Sequence, residues 1–258
     1  MKSIGIIGFG RFGELLADLS ATYFDINIIE SDATKSMLAM SKGYNILDIS
    51  DLGQVDIVFL AVPISTLEEV LVSIKPLLKS TQVVIDLCSV KVYPATMMKK
   101  YIPHAQLLAS HPMFGPDSAK KGLAGLQVVL CPISIEPDNL RIIKDFWSKL
   151  GTTVLTATPE EHDRDTAYSQ AFTYSIAKLI NGMDMPDITF RTKSFNDIYE
   201  VACLSAKDTN QLFHDMLFYN PYFIDMKAKL EKSMDNTKAI LDVIANEQLA
   251  VSKREFPS

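Results

Sequence analysis

Residues 3–13 read SIGIIGFGRFG, and this stretch decides the fold of the chain. An apolar run leads directly into the pattern G-x-G-x-x-G, and apolar residues at helical spacing follow it. A strand, a glycine turn and a helix in this order form the phosphate-binding corner of dinucleotide-binding domains. Gly8 would permit the tight turn, Gly10 would let a pyrophosphate approach the backbone, and Gly13 would let the helix pack close to the strand.

An acidic residue follows at the distance that such a domain requires. The next strand-like segment, residues 26–30, ends in Glu30, which stands 17 residues after Gly13. A carboxylate there accepts hydrogen bonds from a ribose and repels a 2′-phosphate, so we predict NAD as the cofactor. NADP stays possible because Arg11 could contact a phosphate. A glycine-rich turn that binds no ligand is the alternative, and the order of strand, glycines, helix and acid favours the nucleotide site. The remaining predicted cofactor contacts are Phe9, Phe12, Val62, Pro63 and Ser89.

The composition excludes several classes of function. The chain has 258 residues, of which 48% are hydrophobic, and a net charge of −6, which gives no electrostatic footprint for nucleic acid or an anionic membrane. Its 3 cysteines and 4 histidines lack the spacing of a disulfide framework or a metal site. We expect three buried free thiols, a cytoplasmic location and no metal, because the cysteines sit among apolar residues and neither a signal peptide nor a membrane-spanning run is evident.

The first part of the chain alternates between strands and helices. Such alternation predicts an α/β fold with a doubly wound parallel sheet, here a dinucleotide-binding domain over residues 1–156. The strand-like runs are 4–8, 26–30, 56–62, 82–87, 106–110, 126–131 and 152–156. The helical patterns lie near 11–23, 33–42, 65–78, 91–101 and 137–150.

The second part, residues 157–258, has no strand signal and predicts a smaller all-helical domain. Thr158 followed by Pro159 is typical of a helix start, and this helix should run to about residue 181. Two further helical stretches should cover 194–218 and 222–250. Their apolar residues recur at helical spacing and need a surface to cover them, which predicts a homodimer.

Two residues stand at strand ends, where doubly wound sheets bind ligands. Ser89 follows the run 82–87 and could bond a substrate or the nicotinamide, or merely cap the next helix. His111 follows the run 106–110 and could act as an acid or base near neutral pH, or simply pack in its loop.

Further polar residues fall in the helical part. Gln170 and Tyr174 are four residues apart, so on a regular helix they share a face and could point into one cleft with Thr173. Lys193 lies in a basic cluster and could bind a carboxylate. His162 stands at the start of a helix, and its replacement should mainly cost stability or domain packing.

Together these segments resemble the prephenate/arogenate dehydrogenase family of tyrosine biosynthesis, and the plant-type arogenate branch most. The resemblance runs through the glycine loop, Asp-Leu-Cys-Ser-Val-Lys at 86–91, His-Pro-Met-Phe-Gly-Pro at 111–116, Glu-His-Asp-Arg at 161–164 and Phe-Tyr-Asn at 218–220. It implies a Rossmann domain, a helical dimerisation domain, and oxidative decarboxylation of arogenate or prephenate with hydride transfer to NAD(P)+. It also implies that His111 bonds or deprotonates the substrate hydroxyl, while Ser89 orients His111 and the nicotinamide.

Two positions depart from the family pattern. Tyr174 stands where members usually carry histidine, and Lys193 stands where bacterial prephenate enzymes carry an arginine that binds the substrate carboxylate. Lysine can pair with a carboxylate but lacks the bidentate fork of arginine. Two alternatives therefore stay open, namely another Rossmann-plus-helices enzyme of the β-hydroxyacid or imine type, and a non-catalytic dinucleotide-binding module.

Overall fold

One mostly parallel sheet of eight strands organises the computed structural model, which describes residues 1–255. The strand order is β3-β2-β1-β4-β5-β6-β7-β8. β2 and β3 are added on one side of β1 and β4 to β8 on the other, so the strand order reverses between β1 and β4. Ligands of doubly wound sheets bind at such a reversal. The strands are β1 (Ser3–Ile7), β2 (Asp25–Ile29), β3 (Asn45–Ile46), β4 (Ile57–Leu60), β5 (Val83–Asp86), β6 (Gln106–Pro112), β7 (Gln127–Ser134) and β8 (Thr153–Thr156).

Both faces of the sheet are buried, which explains the continuous apolar runs. Successive side chains point to opposite faces, so Ile6 joins one hydrophobic cluster with Trp147, while Ile7 joins the other with Leu71. The helices that cover the two faces are α1 (Arg11–Ser20), α2 (Ala33–Ser41), α3 (Leu67–Ile74), α4 (Val92–Tyr101), α5 (Pro116–Ala119) and α6 (Pro137–Lys149). The predicted α/β architecture is confirmed.

The sheet differs from the prediction in two places. β7 runs antiparallel to β6, because the connection 113–126 contains only the four-residue helix α5 and does not cross over the sheet. β3 is a two-residue edge strand, too short to give an alternating pattern in the sequence. The parallel prediction holds for the other adjacent strand pairs.

Every element after β8 is helical. Thr158 and Glu161 form the reciprocal hydrogen bonds of a capping box, which confirms the predicted helix start. The predicted stretch 194–218 is two helices, because Thr209 Oγ1 accepts a hydrogen bond from Leu212 N at 3.1 Å and so starts a new helix. The helices are α7 (Pro159–Thr166), α8 (Phe172–Asn181), α9 (Lys193–Ser205), α10 (Asn210–Phe218) and α11 (Phe223–Glu255), and one π-helical turn, Ala167–Ala171, joins α7 to α8.

Polar and aromatic contacts connect the helices after β8 to one another and to the α/β part of the structure. The Asn220 side chain donates to the carbonyl oxygen of Asp163 at 2.9 Å, and the backbone N of Ser65 donates to Asp215 Oδ2 at 3.2 Å. The rings of Tyr93 and Tyr219 pack in a tilted arrangement with centroids 4.4 Å apart. The start of α11 is therefore anchored beside the carboxyl ends of the strands.

The rest of α11 extends into solvent. Its 33 residues correspond to about 50 Å of helix, and Ile240, Leu241 and Ile244 each expose more than half of their surface. Within residues 1–255, no helix is long and apolar enough to cross a membrane.

Candidate active site

The glycine loop between β1 and α1 leaves a place for a diphosphate. Gly8 has a φ of +98°, and a Cβ there would lie 2.5 Å from the carbonyl oxygen of Ala61. A Cβ on Gly13 would lie 2.1 Å from the carbonyl oxygen of Gly8. Gly10 is different, because a Cβ there meets no atom within 4 Å although the residue is the N-cap of α1. Open space at a helix N-terminus fits a phosphate group.

Glu30 lies beside this loop. Its Oε2 accepts a hydrogen bond from the backbone N of Phe9 at 2.7 Å, and its Oε1 accepts one from Asp32 N at 2.9 Å. Phe9 contributes this amide to the loop while its ring is buried against Tyr44. Phe12 is half-buried, and its ring packs against Phe114 at a centroid distance of 6.3 Å.

Arg11 points away from the centre of the loop. Its guanidinium donates to Asp117 of α5 and lies 3.7 Å from Asp208, in the turn between α9 and α10. It also donates to the carbonyl oxygen of Lys207 at 3.5 Å. Arg11 therefore links the glycine loop to the helical part, and a bound phosphate would have to compete with two carboxylates for its charge.

Val62 and Pro63 follow β4 on the other side of the loop. Val62 is half-buried, and its Cγ1 would lie 3.3 Å from a Cβ on Gly8. Pro63 is exposed and precedes a short 3-10 turn. Both residues thus line the edge between β1 and β4, where the strand order reverses.

A chain of buried side chains runs from β6 to α7. His111 Nδ1 lies 2.9 Å from His162 Nε2, and His162 Nδ1 lies 2.8 Å from Asp163 Oδ1. Asp163 also accepts backbone hydrogen bonds from Lys91 N at 2.6 Å and from Val92 N at 2.9 Å, at the start of α4. All three side chains of the His111–His162–Asp163 chain are buried. The pairing brings His162 into contact with His111, a contact that the sequence pattern did not indicate.

Burial keeps both histidines neutral. The pKa of His111 is well below its usual value, first because the ring is buried and then because protonation of both rings together and the ammonium of Lys91 are unfavourable to a charge there. Burial also lowers the pKa of His162, although the hydrogen bond to Asp163 acts in the opposite direction. A neutral imidazole can accept a proton at neutral pH.

An ion pair beneath these histidines fixes the ends of β5 and β6. The ammonium of Lys91, which is fully buried, donates to the carboxylate of Asp86 and to the carbonyl oxygen of Ser110. Buried charges occur in proteins when they are paired and hydrogen-bonded. The pair sets the position of Ser110 and therefore of the adjacent His111. The sequence analysis did not identify it, although Asp86 and Lys91 both lie in the stretch that follows a strand.

Ser89 lies at the same edge of the sheet, and its hydroxyl is buried with no hydrogen-bond partner in the described part of the chain. Its side chain forms no hydrogen bond with His111, whose Nδ1 partner is His162. Buried polar atoms without partners are rare and call for an explanation, and a ligand atom at this edge would supply the partner. The open cradle at Gly10 and the hydroxyl of Ser89 thus both fit a dinucleotide.

The residues predicted to bind substrate lie in two places. Gln170 belongs to the π-helical turn, and its Oε1 is buried without a partner among residues 1–255. The π turn changes the angular spacing of the helix, so the expectation that Gln170 and Tyr174 share a face does not follow from a regular helix here. Thr173 is half-buried nearby on α8, and the Tyr174 hydroxyl donates to Asp208. Lys193 is exposed at the start of α9.

A cavity of about 750 Å³ opens between α7 and the strands β7 and β8. Its wall includes Met113, His162 and Arg164, and also Tyr168 of the π-helical turn. Ser89, Gln170 and Tyr174 are not part of this wall. The cavity therefore reaches the His111–His162–Asp163 chain at His162. No cluster of residues suited to a metal ion occurs in the described chain.

A family model described as the nucleotide-binding domain of prephenate dehydrogenase matches residues 19–156, which is more than half of the chain. The chain belongs to the prephenate dehydrogenase family. The match begins within α1, after the glycine loop, so the loop geometry is independent support for the nucleotide site. The end of the match also coincides with the end of β8.

Individual relatives agree with this family. The chain is 26% identical over 249 residues to arogenate dehydrogenase 1 of Arabidopsis thaliana, a chloroplastic protein, covering 92% of this chain and 39% of the relative. It is 26% identical over 245 residues to arogenate dehydrogenase 2 of the same plant, covering 91% of this chain and 68% of the relative. The chain thus spans about two fifths of the first relative and two thirds of the second.

A solved structure shares the fold over nearly the whole chain. It is prephenate dehydrogenase from Aquifex aeolicus in complex with hydroxyphenyl propionate and NAD+. The superposition has a TM-score of 0.76 at 20% identity and covers 99% of this chain and 96% of the other. The fold of this family member, including its helical part, therefore matches that of a prephenate dehydrogenase.

Proposed function

We propose that this chain is a dehydrogenase that oxidatively decarboxylates arogenate or prephenate with NAD(P)+, giving tyrosine or 4-hydroxyphenylpyruvate. The observation that carries the proposal is His111, a buried neutral imidazole at the carboxyl end of β6, on the same edge of the sheet as the glycine loop and Ser89. Family membership and the substrate names of the plant relatives support the same reaction.

The chemistry assigned to this chain's residues is proton transfer and positioning. His111 would accept the proton of the substrate hydroxyl, while the buried hydroxyl of Ser89 would bond the reacting groups. A bound nicotinamide would supply the hydride acceptor, and loss of the ring carboxylate as CO2 would complete aromatisation. A general base typically contributes about 10²–10⁴-fold to the rate, so positioning must supply much of the remainder.

NAD+ is the cofactor that Glu30 favours. Its carboxylate borders the loop through the amide of Phe9, and its negative charge there would repel a 2′-phosphate. Arg11 would offer little compensation, because it already pairs with Asp117 and faces Asp208.

Substrate contacts are proposed for Gln170, Thr173 and Tyr174, with Lys193 binding a carboxylate. The partnerless Oε1 of Gln170 supports this assignment, since a substrate hydroxyl or amine could supply its hydrogen bond. Tyr174 would act through its hydroxyl, which burial and the hydrogen bond to Asp208 hold in the protonated form by raising its pKa. Lys193 bonds Asp197 at 2.7 Å and is largely solvent-exposed, so it would reach a substrate only by leaving this partner.

A homodimer is proposed as the functional assembly. The exposed apolar side chains of α11 need a partner surface, and a second copy of the helical part would provide one. A cytoplasmic location stays a prediction from the free cysteines, and the Arabidopsis relatives are chloroplastic. Cys88 and Cys131 are buried as expected, whereas Cys203 is exposed on α9.

The deciding experiment follows the absorbance of the reduced cofactor with arogenate, with prephenate and with neither substrate, each in the presence of NAD+ or NADP+. We expect substrate-dependent reduction with at least one of the two substrates. No reduction with either substrate, combined with measurable dinucleotide binding, would support the non-catalytic module. The family match favours the proposed reaction over that of a β-hydroxyacid or imine enzyme.

A further inference from the structure

The Asp163 carboxylate sets the direction of every hydrogen bond in the His111–His162–Asp163 chain. Its two oxygens accept hydrogen bonds from the backbone N–H groups of Lys91 and Val92, at 2.6 and 2.9 Å. A carboxylate that stabilises two backbone donors in this way is ionised and can only accept further hydrogen bonds. The hydrogen between Asp163 Oδ1 and His162 Nδ1, which lie 2.8 Å apart, must therefore reside on His162 Nδ1.

This constraint passes from one ring to the next. A neutral imidazole carries one N–H, so His162 with hydrogen on Nδ1 presents a bare lone pair at Nε2. Nε2 of His162 lies 2.9 Å from Nδ1 of His111 and must accept a hydrogen bond from it. Neutral His111 then has its hydrogen on Nδ1 and a bare lone pair on Nε2. No hydrogen bond occupies this Nε2 within residues 1–255, so it is available to a ligand.

We propose that His162 and Asp163 are positioning residues that hold His111 in the tautomer with its hydrogen on Nδ1, so that Nε2 is the atom that accepts a proton from the substrate. The inference rests on the proposed function for the identity of the substrate, but the tautomer itself is a property of the protein alone. His162 thereby moves from a packing residue to part of the proton-transfer machinery.

Each bond in the proposed step is accounted for. The O–H bond of the substrate hydroxyl breaks, its proton forms a bond to Nε2 of His111, and the oxygen keeps the electron pair that becomes the new C=O bond. The hydride leaves the same ring carbon for the dinucleotide, which is the oxidant that the proposed function supplies. The positive charge then created on His111 is stabilised through His162 by the carboxylate of Asp163.

An intervening neutral histidine serves a different purpose from a direct carboxylate partner. The charged groups that face the pair are Lys91, Asp86 and Asp163, and the ammonium of Lys91, which pairs with Asp86, disfavours a positive charge on either ring. A carboxylate in direct contact with His111 would favour its protonated form. With His162 between them, the negative charge is near enough to orient the rings, yet His111 stays unprotonated at neutral pH.

The tautomer can be measured without any activity assay. In protein labelled with ¹⁵N-histidine, long-range ¹H–¹⁵N correlation spectra at neutral pH distinguish a protonated ring nitrogen from a bare one, and His111→Asn identifies the His111 signals. We expect His111 and His162 each to carry the hydrogen on Nδ1. A hydrogen on Nε2 of His111 would overturn the proposal, whatever the substrate proves to be.

Two variants of His162 supply the kinetic test on the active substrate. His162→Gln keeps a carbonyl oxygen that can accept from His111 Nδ1, whereas His162→Leu keeps bulk but no acceptor. We expect the leucine variant to lose about 10- to 100-fold in kcat, less than the loss of a whole general base, and the glutamine variant to stay within about fivefold of wild type. NAD+ affinity should change by less than about twofold in both, as it should in the control His104→Gln, whose side chain is exposed.

The comparison of the two variants separates positioning from packing. Equal loss of kcat in both, or wild-type kcat in His162→Leu, would contradict the proposal. If His162→Leu does not fold, the glutamine variant and the spectra of the wild-type protein still decide. If wild-type protein turns over neither substrate, the proposed function fails, and the tautomer measurement still stands alone as the test of the His111–His162–Asp163 chain.

Discussion

The glycine loop allows a direct test of the nucleotide site, because Gly13 is required by the packing of the protein itself, whereas Gly10 has open space that a ligand could fill. A Cβ on Gly13 would lie 2.1 Å from the carbonyl oxygen of Gly8, so the backbone must move by roughly 0.9 Å to reach even the shortest tolerated contact. Overpacking of this kind costs about 1–3 kcal/mol, and we expect Gly13→Ala to lower the free energy of unfolding by that amount. Gly10→Ala meets no protein atom within 4 Å and should cost less than about 1 kcal/mol, the usual range for an N-cap change.

Gly10→Ala should weaken cofactor binding even though it changes the stability of the protein little. The added methyl group would occupy the open space at the N-terminus of α1, where the pyrophosphate should approach the backbone. We expect Gly10→Ala to weaken NAD+ binding at least tenfold, equivalent to about 1.4 kcal/mol, while its unfolding curve stays close to that of wild type.

Urea unfolding and calorimetric titration with NAD+ measure the two effects separately. Gly43→Ala is a useful comparison, since Gly43 has a φ of +86° and open space around it, and it belongs to the loop after α2 rather than to the nucleotide site. It should lose some stability through backbone strain but keep its affinity for NAD+. If Gly10→Ala binds NAD+ as tightly as wild type, the assignment of the pyrophosphate to this loop is wrong.

Four further outcomes follow from the structure. His111→Asn should lower kcat by about two to four decades while NAD+ affinity is nearly unchanged, and near-normal kcat with arogenate or prephenate would contradict the assigned base. Glu30→Ala should narrow the preference for NAD+ over NADP+ in kcat/KM, whereas a wild-type enzyme tenfold better with NADP+ would refute the cofactor assignment. Burial lowers the pKa of His111 and His162, so below about pH 6.5 the unfolded chain binds more protons than the folded one. The free energy of unfolding should therefore decrease as the pH is lowered, by up to about 1.4 kcal/mol per pH unit for each histidine. A urea midpoint that does not change from pH 7 to 5 would argue against neutral, buried histidines. Light scattering at micromolar concentration should give the mass of a dimer, and Ile240→Asp on α11 should shift that mass toward a monomer.

Much of the sheet could be predicted from the sequence because each of its signals is local. The glycine pattern at 8–13 and the apolar runs of β4 and β5 depend on neighbouring residues only, and their bounds agree with the structure to within a few residues. The antiparallel β7 was not predictable in the same way. Strand direction depends on whether the chain between two strands crosses over the sheet, and the apolar pattern of a strand does not encode its direction.

The residues of the candidate site also differ in whether a local sequence signal indicates them. Ser89 could be found because it follows a strand, and His111 because it stands near the end of one, although β6 continues through His111 to Pro112 where the predicted strand ended at residue 110. Parallel strands bring their carboxyl ends to one edge. His162 lies 51 residues after His111 on a helix, and nothing in its neighbourhood specifies which strand that helix contacts. The dipeptide His162-Asp163 at a helix start is the one local signal, and it fits the favourable interaction of an acidic residue with the helix N-terminus equally well. Long-range contacts between buried polar groups therefore needed the folded structure.

The buried polar groups of the site serve as hydrogen-bond partners for one another, which explains why several of them occur together. Lys91 contributes its ammonium to Asp86 and Ser110 and its backbone N–H to Asp163, so one residue connects β5, β6 and α7. Removing any one partner would leave a charge or a donor buried without compensation, which typically costs more than the hydrogen bond itself contributes. The same connections hold His111 on the strand and His162 on the helix at hydrogen-bond distance. A change that loosens the contact between α7 and the sheet should therefore lower activity before it lowers dinucleotide binding, because the glycine loop joins β1 to α1 and its hydrogen bonds go to Glu30, Asp117 and Lys207 rather than to α7.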